Sequence, residues 1–222
     1  MIGDWLTTVL ATFAGLLPIV NPWSTAVVFL ALTVRLSDED RQRQATLASL
    51  YALGVLWTFL FAGALIMNFF GISIPALRIA GGLIVARVGF SMLSPAETEE
   101  APGAPPPRAE IAFTPLAVPM LSGPGSIAVT IGMAAGAESI TDHLASAAGI
   151  ALVIAISWAT LRGARAVKRL LGDQGIDALT RIMGFLLVCI GVQFVGMGVI
   201  EVVTDPRLLG RIAETLATLP AR

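Results

Sequence analysis

Two short segments, rich in proline and small polar residues, interrupt stretches of the chain that are otherwise apolar. They are Pro18-Ile-Val-Asn21-Pro22-Trp-Ser24-Thr25 and Pro119-Met-Leu-Ser122-Gly123-Pro124-Gly125-Ser126. Their chemistry is that of helix ends. Asn21 is a preferred N-cap type and Pro22 suits the first helical position, so a new helix is expected to start there and run to Val34. In the second segment Ser122 or Gly123 is the expected cap, Pro124 the first helical residue, and Gly125 a place where a ligand can approach the backbone. A helix N-terminus presents unpaired amides and a positive dipole end, which attract an anion or a carboxylate. Asn21, Ser24, Thr25, Ser122 and Ser126 add short donors and acceptors, as a small zwitterionic solute would need. Proline kinks and small residues in membrane helices also serve packing alone, and either break taken singly admits that reading.

The elements that carry these breaks follow from composition. Hydrophobic residues make up 56% of the chain, charged residues 13%, and the mean hydropathy is +0.84, values of a membrane protein. A bilayer core of about 30 Å needs roughly 20 apolar residues as helix. Residues 5–34, 45–70, 111–136, 144–161 and 182–200 contain no Asp, Glu, Lys or Arg, and 72–94 carries only Arg78 and Arg87. The expectation is therefore an all-α membrane protein of six transmembrane helices, with both breaks near the middle of their spans.

Pro22 and Pro124 stand about 102 residues apart, and aligning them brings Ser24 onto Ser126 and Ala26 onto Ala128. Leu77-Arg78-Ile79-Ala80-Gly81 falls within one residue of Thr180-Arg181-Ile182-Met183-Gly184 in the same alignment. This reads as a duplication: a first three-helix repeat over 1–95, a linker over 96–110, a second repeat over 111–203 and a tail over 204–222. Three spans per half is an odd number, so the second copy must run through the membrane in the opposite sense, giving inverted repeats with a broken first helix in each. Arg35, Arg41, Arg43, Arg108, Arg162, Arg165, Lys168 and Arg169 lie in alternate loops, which places those loops in the cytoplasm and both termini outside. Arg207, Arg211 and Arg222 of the tail run against this count. The N-terminal Met-Ile-Gly-Asp4 lacks a basic leader and a cleavage site, so the first span is expected to be retained.

Arg78 and Arg181 occupy matched places in the third span of each half and are candidates for a gate or a carboxylate partner, or for charges that snorkel to the interface. Arg87 lies nearer mid-span with no counterpart, and suits a substrate ligand, a pairing with backbone carbonyls, or a contact within a homo-oligomer. No carboxylate falls in a span core, which disfavours coupling to protons through a buried acid and favours a facilitator, an exporter or a carrier that holds sodium by carbonyls. Gly132 and Gly136, four apart, are expected to pack closely against a neighbouring helix. The segment from Ser94 to Glu110 holds five prolines and four acids and reads as a linker. The tail from Arg207 has the spacing of a short surface helix. A net charge of −1 offers nothing to nucleic acid. One cysteine, Cys189, and one histidine, His143, leave no disulfide, metal cluster or catalytic set, so neither a cofactor nor an enzyme is expected.

Three segments together resemble a known family: Leu16-Leu-Pro-Ile-Val-Asn21-Pro22, Phe70-Gly-Ile-Ser-Ile-Pro-Ala-Leu-Arg78-Ile-Ala-Gly-Gly82, and Pro115-Leu-Ala-Val-Pro-Met-Leu-Ser-Gly-Pro-Gly-Ser-Ile127. They look like the signature segments of the MarC family of six-span bacterial inner-membrane proteins. The resemblance spans nearly the whole chain apart from the linker and the tail. It implies a transporter of small neutral amino acids such as alanine and glycine, and carries over Asn21, Pro22, Gly123, Pro124, Gly125 and Arg78 as matching positions. The chain departs from the family's pattern at Trp23-Ser24 and at Val27, and an indole beside the break reshapes any pocket there. Alternating access around the two breaks is the expected mechanism. The rival readings are an efflux carrier for drugs or small ions and a membrane module that transports nothing.

Overall fold

The computed structural model describes residues 2–93, 111–137 and 139–205. The linker expected over 96–110 and nearly all of the 204–222 tail, with its three arginines, lie outside the described residues. Among the described residues the chain forms helices α1 (Ile2–Val20), α2 (Pro22–Leu32), α3 (Asp38–Phe70) and α4 (Ile74–Leu93), then a wide-turn π-type segment, Ala112–Leu121, and helices α5 (Pro124–Ala135), α6 (Ile140–Arg162) and α7 (Ala164–Val203). Helices α3, α4, α6 and α7 are each long and apolar enough to cross a membrane. The pair α1 and α2 is bent by 40°, and Ala112–Leu121 with α5 by 58°, and each pair has the length and composition of one broken span. Counting them so gives the six spans, with the breaks in the expected two.

Helix boundaries follow local chemistry. Ser37 caps α3, accepting from the Asp40 amide at 3.1 Å, and Asp38, Glu39 and Asp40 meet the positive end of the helix. Gly71, at φ 65°, ends it in a left-handed cap that a side chain would strain. Ser139 and Asp142 form a reciprocal capping box at the start of α6.

Three expectations are corrected. The loop foreseen after the fifth span is mostly helix: α6 ends at Arg162, Gly163 turns the chain, and helix resumes at Ala164 until Gly172, at φ 64° and ψ 176°, breaks it again. A charge-free window marks the apolar core of a span, and the helix reaches well beyond it because Asp173, Asp177 and Arg181 sit on an exposed face. The second interruption is also longer than foreseen. Thr114 and Val118 leave helical dihedrals ahead of Pro115 and Pro119, since a proline ring crowds the residue before it out of the α region. Finally, Gly132 and Gly136 are not close-packing glycines, for neither faces another helix nearer than the 4.0 Å between a Gly132 Cβ and Phe194. Both line an open cleft.

Close packing is instead built by α4 and α7, whose contact is the most extensive among the described residues. A Cβ on Gly82 would lie 2.6 Å from the Gly191 carbonyl oxygen, and one on Gly89 2.7 Å from that of Gly184. A Cβ on Gly198 would lie 2.8 Å from the Pro75 carbonyl oxygen. The pairings run in opposite order along the two helices, so α4 and α7 are antiparallel and touch backbone to backbone, as small residues permit in lipid. The broken spans pack crosswise between the halves: α1 lies on α6, Ala112–Leu121 on α3, α2 on α7 and α5 on α4. Leu16, Val20, Phe29, Leu116, Leu121 and Leu187 are fully buried between them. Leu65, Phe69 and Ile140 are outward-facing, as apolar side chains on a lipid-facing surface are.

Candidate functional site

At the first break Asn21 takes a left-handed conformation, φ 39° and ψ 69°, the one positive-φ residue other than glycine among the described residues. Asparagine tolerates that region and caps helices, so one residue type meets both demands. Its Oδ1 accepts the Ser24 amide at 3.5 Å and its Nδ2 donates to Ser24 Oγ at 2.8 Å. Ser24 Oγ is also hydrogen-bonded to Thr180 Oγ1 on α7, and the Thr180 hydroxyl donates to the Ile176 carbonyl at 2.8 Å. With that proton committed, the Ser24 hydroxyl is the donor to Thr180. A directed chain thus runs from Asn21 through Ser24 and Thr180 to the backbone of α7, joining the first break to the last span.

The second break is one residue longer. Ser122 and Gly123 stand between Leu121 and Pro124, where Asn21 alone stands between Val20 and Pro22. Gly123, not Ser122, is the N-cap of α5, and it supplies no side-chain cap. Only glycine fits there, because a Cβ would lie 2.4 Å from the Pro119 carbonyl oxygen. The extra residue shifts the register expected from the prolines. The Thr25 hydroxyl donates to the Val20 carbonyl at 3.2 Å and the Ser126 hydroxyl to that of Leu121 at 3.5 Å, so Ser126 answers to Thr25 rather than to Ser24. Ser122 turns its hydroxyl back to Ala117 at 2.9 Å.

The two breaks meet. A Cβ on Gly125 would touch Ile19 at 3.4 Å and Val85 at 3.5 Å, which places the start of α5 against the end of α1 and against α4. That side of Gly125 is therefore occupied by protein, where an open approach was expected. Asn21, Pro22, Thr25, Ser122, Gly123, Gly125 and Ser126 are buried, Ser24 is half-buried and Pro124 exposed. The indole Nε1 of Trp23 and the hydroxyl of Thr130 are buried without a hydrogen-bond partner. An unpaired buried donor of this kind costs about 1–3 kcal/mol, so the Trp23 N–H is a place where an acceptor would be stabilising.

The arginines are not gathered at the breaks. Arg78 forms an ion pair with Glu201 at 2.6 Å, tying the first turns of α4 to the end of α7. Arg181 and Arg87 are exposed. The sequence reading missed Thr180, although it sits beside Arg181 in the matched segment, and missed Ile19, Val85 and Met133, which carry no signal beyond being apolar.

A cleft of about 390 Å³ opens between the first turns of α1, the end of α5 and the start of α6. Its lining is mostly apolar, with polar groups supplied by Thr7, Thr8, Thr12, Asp142 and Ser146. Two of the helices that flank it, α1 and α5, lead from the cleft to the two breaks. Met133, on its wall, comes so near Gly15 that a Cβ there would lie 2.9 Å from the Met133 methyl.

Fold and site define a polytopic α-helical membrane protein with two interrupted spans whose breaks converge. The family described as MarC family integral membrane protein matches residues 6–203. The chain is similar to the inner membrane protein MarC of Citrobacter koseri, 44% identical over 203 residues that cover 85% of this chain and 92% of that protein. It is equally similar to MarC of Salmonella typhimurium, 44% over 204 residues with the same coverage, and 43% identical to MarC of Escherichia coli O1:K1. No solved structure matches. The chain belongs to the MarC family of integral membrane proteins.

Proposed function

We propose that this protein is a carrier for small neutral amino acids of the alanine and glycine class, exporting or exchanging them across the bacterial inner membrane, where its similar relatives are named to reside. The observation that carries this reading is the convergence of the two breaks, with Ile19 of one against Gly125 of the other. Two helix N-termini at one place favour a carboxylate, and the Trp23 N–H is a further donor. The hydroxyls and the Asn21 amide oxygen offer acceptors for an ammonium. The small size of the side chains and the burial of the site suit a small solute.

Alternating access follows from the same geometry. The cleft with its threonine and serine hydroxyls among apolar walls is the outer vestibule, and Met133 against Gly15 with Ile19 against Gly125 closes it from the breaks. The halves are inverted repeats in this reading. Support comes from the crosswise packing, since exchanging the halves maps the contact of α1 with α6 onto that of Ala112–Leu121 with α3, and α2 with α7 onto α5 with α4.

The test is counterflow: purified protein in liposomes loaded with unlabelled alanine, given labelled alanine outside. Competition by glycine, alanine and serine but not by tryptophan or antibiotics is the expected result. Folded protein that shows no exchange, or exchange displaced only by drugs or inorganic ions, would overturn the reading.

A further inference from the structure

We infer that the seam between α3 and α6 at its arginine-bearing end binds an anionic phospholipid, with the headgroup phosphate among Arg41, Arg162 and Arg165 and an acyl chain in the groove beside them. This site is separate from the breaks and does not rest on the transport reading. Its polar part is a cavity of about 100 Å³. Three arginines line it against one carboxylate, Asp38, so positive charge is in excess there.

The arginines are held in place before any ligand arrives. Arg41, only 11% exposed in its side chain, donates to Thr33 Oγ1 at 3.2 Å, to the Thr33 carbonyl at 3.3 Å and to Asp38 at 2.9 Å. Arg165 bonds the same carboxylate at 3.0 Å. Arg162 donates to Gln42 at 2.6 Å and lies 5.0 Å over the ring of Trp158. Fixed guanidinium groups lose little freedom on binding phosphate, and Arg165 at 63% and Arg162 on the surface keep an exposed edge to offer it.

The apolar part continues along the same two helices. A groove of about 250 Å³, almost wholly apolar, runs along Leu50 and Leu53 of α3 and Ile154 and Ala155 of α6. Trp158 is the hinge between the two parts: it lines the groove, carries Arg162 on its face and donates from Nε1 to Thr46 at 3.1 Å. Charge above and a hydrocarbon groove below, in one seam on the side that the loop charges place in the cytoplasm, match one molecule only in a phospholipid of the inner leaflet. Inorganic phosphate would use the first part and leave the second without purpose.

The experiment uses the full chain in detergent, titrated with phosphatidylglycerol or phosphatidylcholine of identical acyl chains and read by native mass spectrometry. The wild type should retain phosphatidylglycerol at least about tenfold more strongly. R162Q/R165Q should abolish that preference, while R35Q/R43Q, which removes equal charge from the same end outside the cavity, should keep it. A155W, which fills the groove and leaves the arginines alone, should weaken retention of both lipids. The inference is overturned by equal retention of the two lipids, by loss of preference in R35Q/R43Q as great as in R162Q/R165Q, or by unchanged retention in A155W. Complete displacement of phosphatidylglycerol by millimolar inorganic phosphate would overturn it as well.

Discussion

Asn21 concentrates more of the site's physics than any other residue. It caps α2 while holding a backbone conformation that costs an ordinary L-residue roughly 1–2 kcal/mol. Asn21→Ala loses the cap and incurs that strain, whereas Asn21→Gly loses only the side chain. The glycine variant should therefore melt above the alanine variant, by several degrees in detergent, although both lose the link to Ser24. Equal melting would mean that the left-handed conformation carries no cost here. Trp23 makes the opposite kind of test. Trp23→Phe deletes an orphaned donor, so stability should hold or rise slightly, while alanine uptake should fall several-fold if that N–H meets the substrate carboxylate. Unchanged uptake would remove the indole from the site. Asn21, Pro22, Gly123 and Pro124 were legible in the sequence because their types declare helix ends, whereas Ser122, offered as an alternative N-cap, is not one. Thr180 was not, because its role comes from a partner 156 residues away, and no local pattern encodes a contact of that range.

Among the elements, the break in the second half shows where sequence reading stops. Proline at 115 and 119 announces an irregular backbone, yet the surrounding Leu, Ala, Val and Met read as an ordinary apolar span, so its wide-turn geometry over Ala112–Leu121 was invisible. The α4 and α7 seam was barely legible: of the glycines in the matched segments Gly184 lies in it while Gly81 faces Ala128 of α5, and the pairing of Gly82 with Gly191 requires knowing that the two helices face each other. That pairing predicts a sharp contrast within α7. Gly191→Ala places a methyl 2.6 Å from backbone atoms of α4 and should cost several kcal/mol, or prevent accumulation of folded protein. Gly196→Ala, five residues on with nothing within 4 Å, should be neutral or stabilising by up to about 1 kcal/mol. Thermal melting of the two variants side by side decides it. Thr180→Val, keeping shape and removing one hydroxyl, leaves the Ser24 donor without its acceptor and should cost about 1 kcal/mol along with part of the uptake.

For the whole molecule, a 56% hydrophobic composition and charge-free runs of about 20 residues were enough to predict a membrane-spanning bundle. Its sense of insertion rests on the loop arginines and is open to direct labelling. In a Cys189→Ser background, Ala137→Cys at the cleft should react with a membrane-impermeant maleimide in intact cells, and Lys168→Cys only after permeabilisation. The reverse pattern would turn the molecule over and convert the vestibule into a cytoplasmic one. The glycine seam bears on how such a molecule can move at all. Side chains that interleave act as a cushion, since they yield through many rotamers, but α4 and α7 meet through backbone atoms that have none. Such a joint is stiff in compression and offers no graded intermediate positions. It behaves as a fixed axle, which leaves the flexing to the broken helices on either side of it.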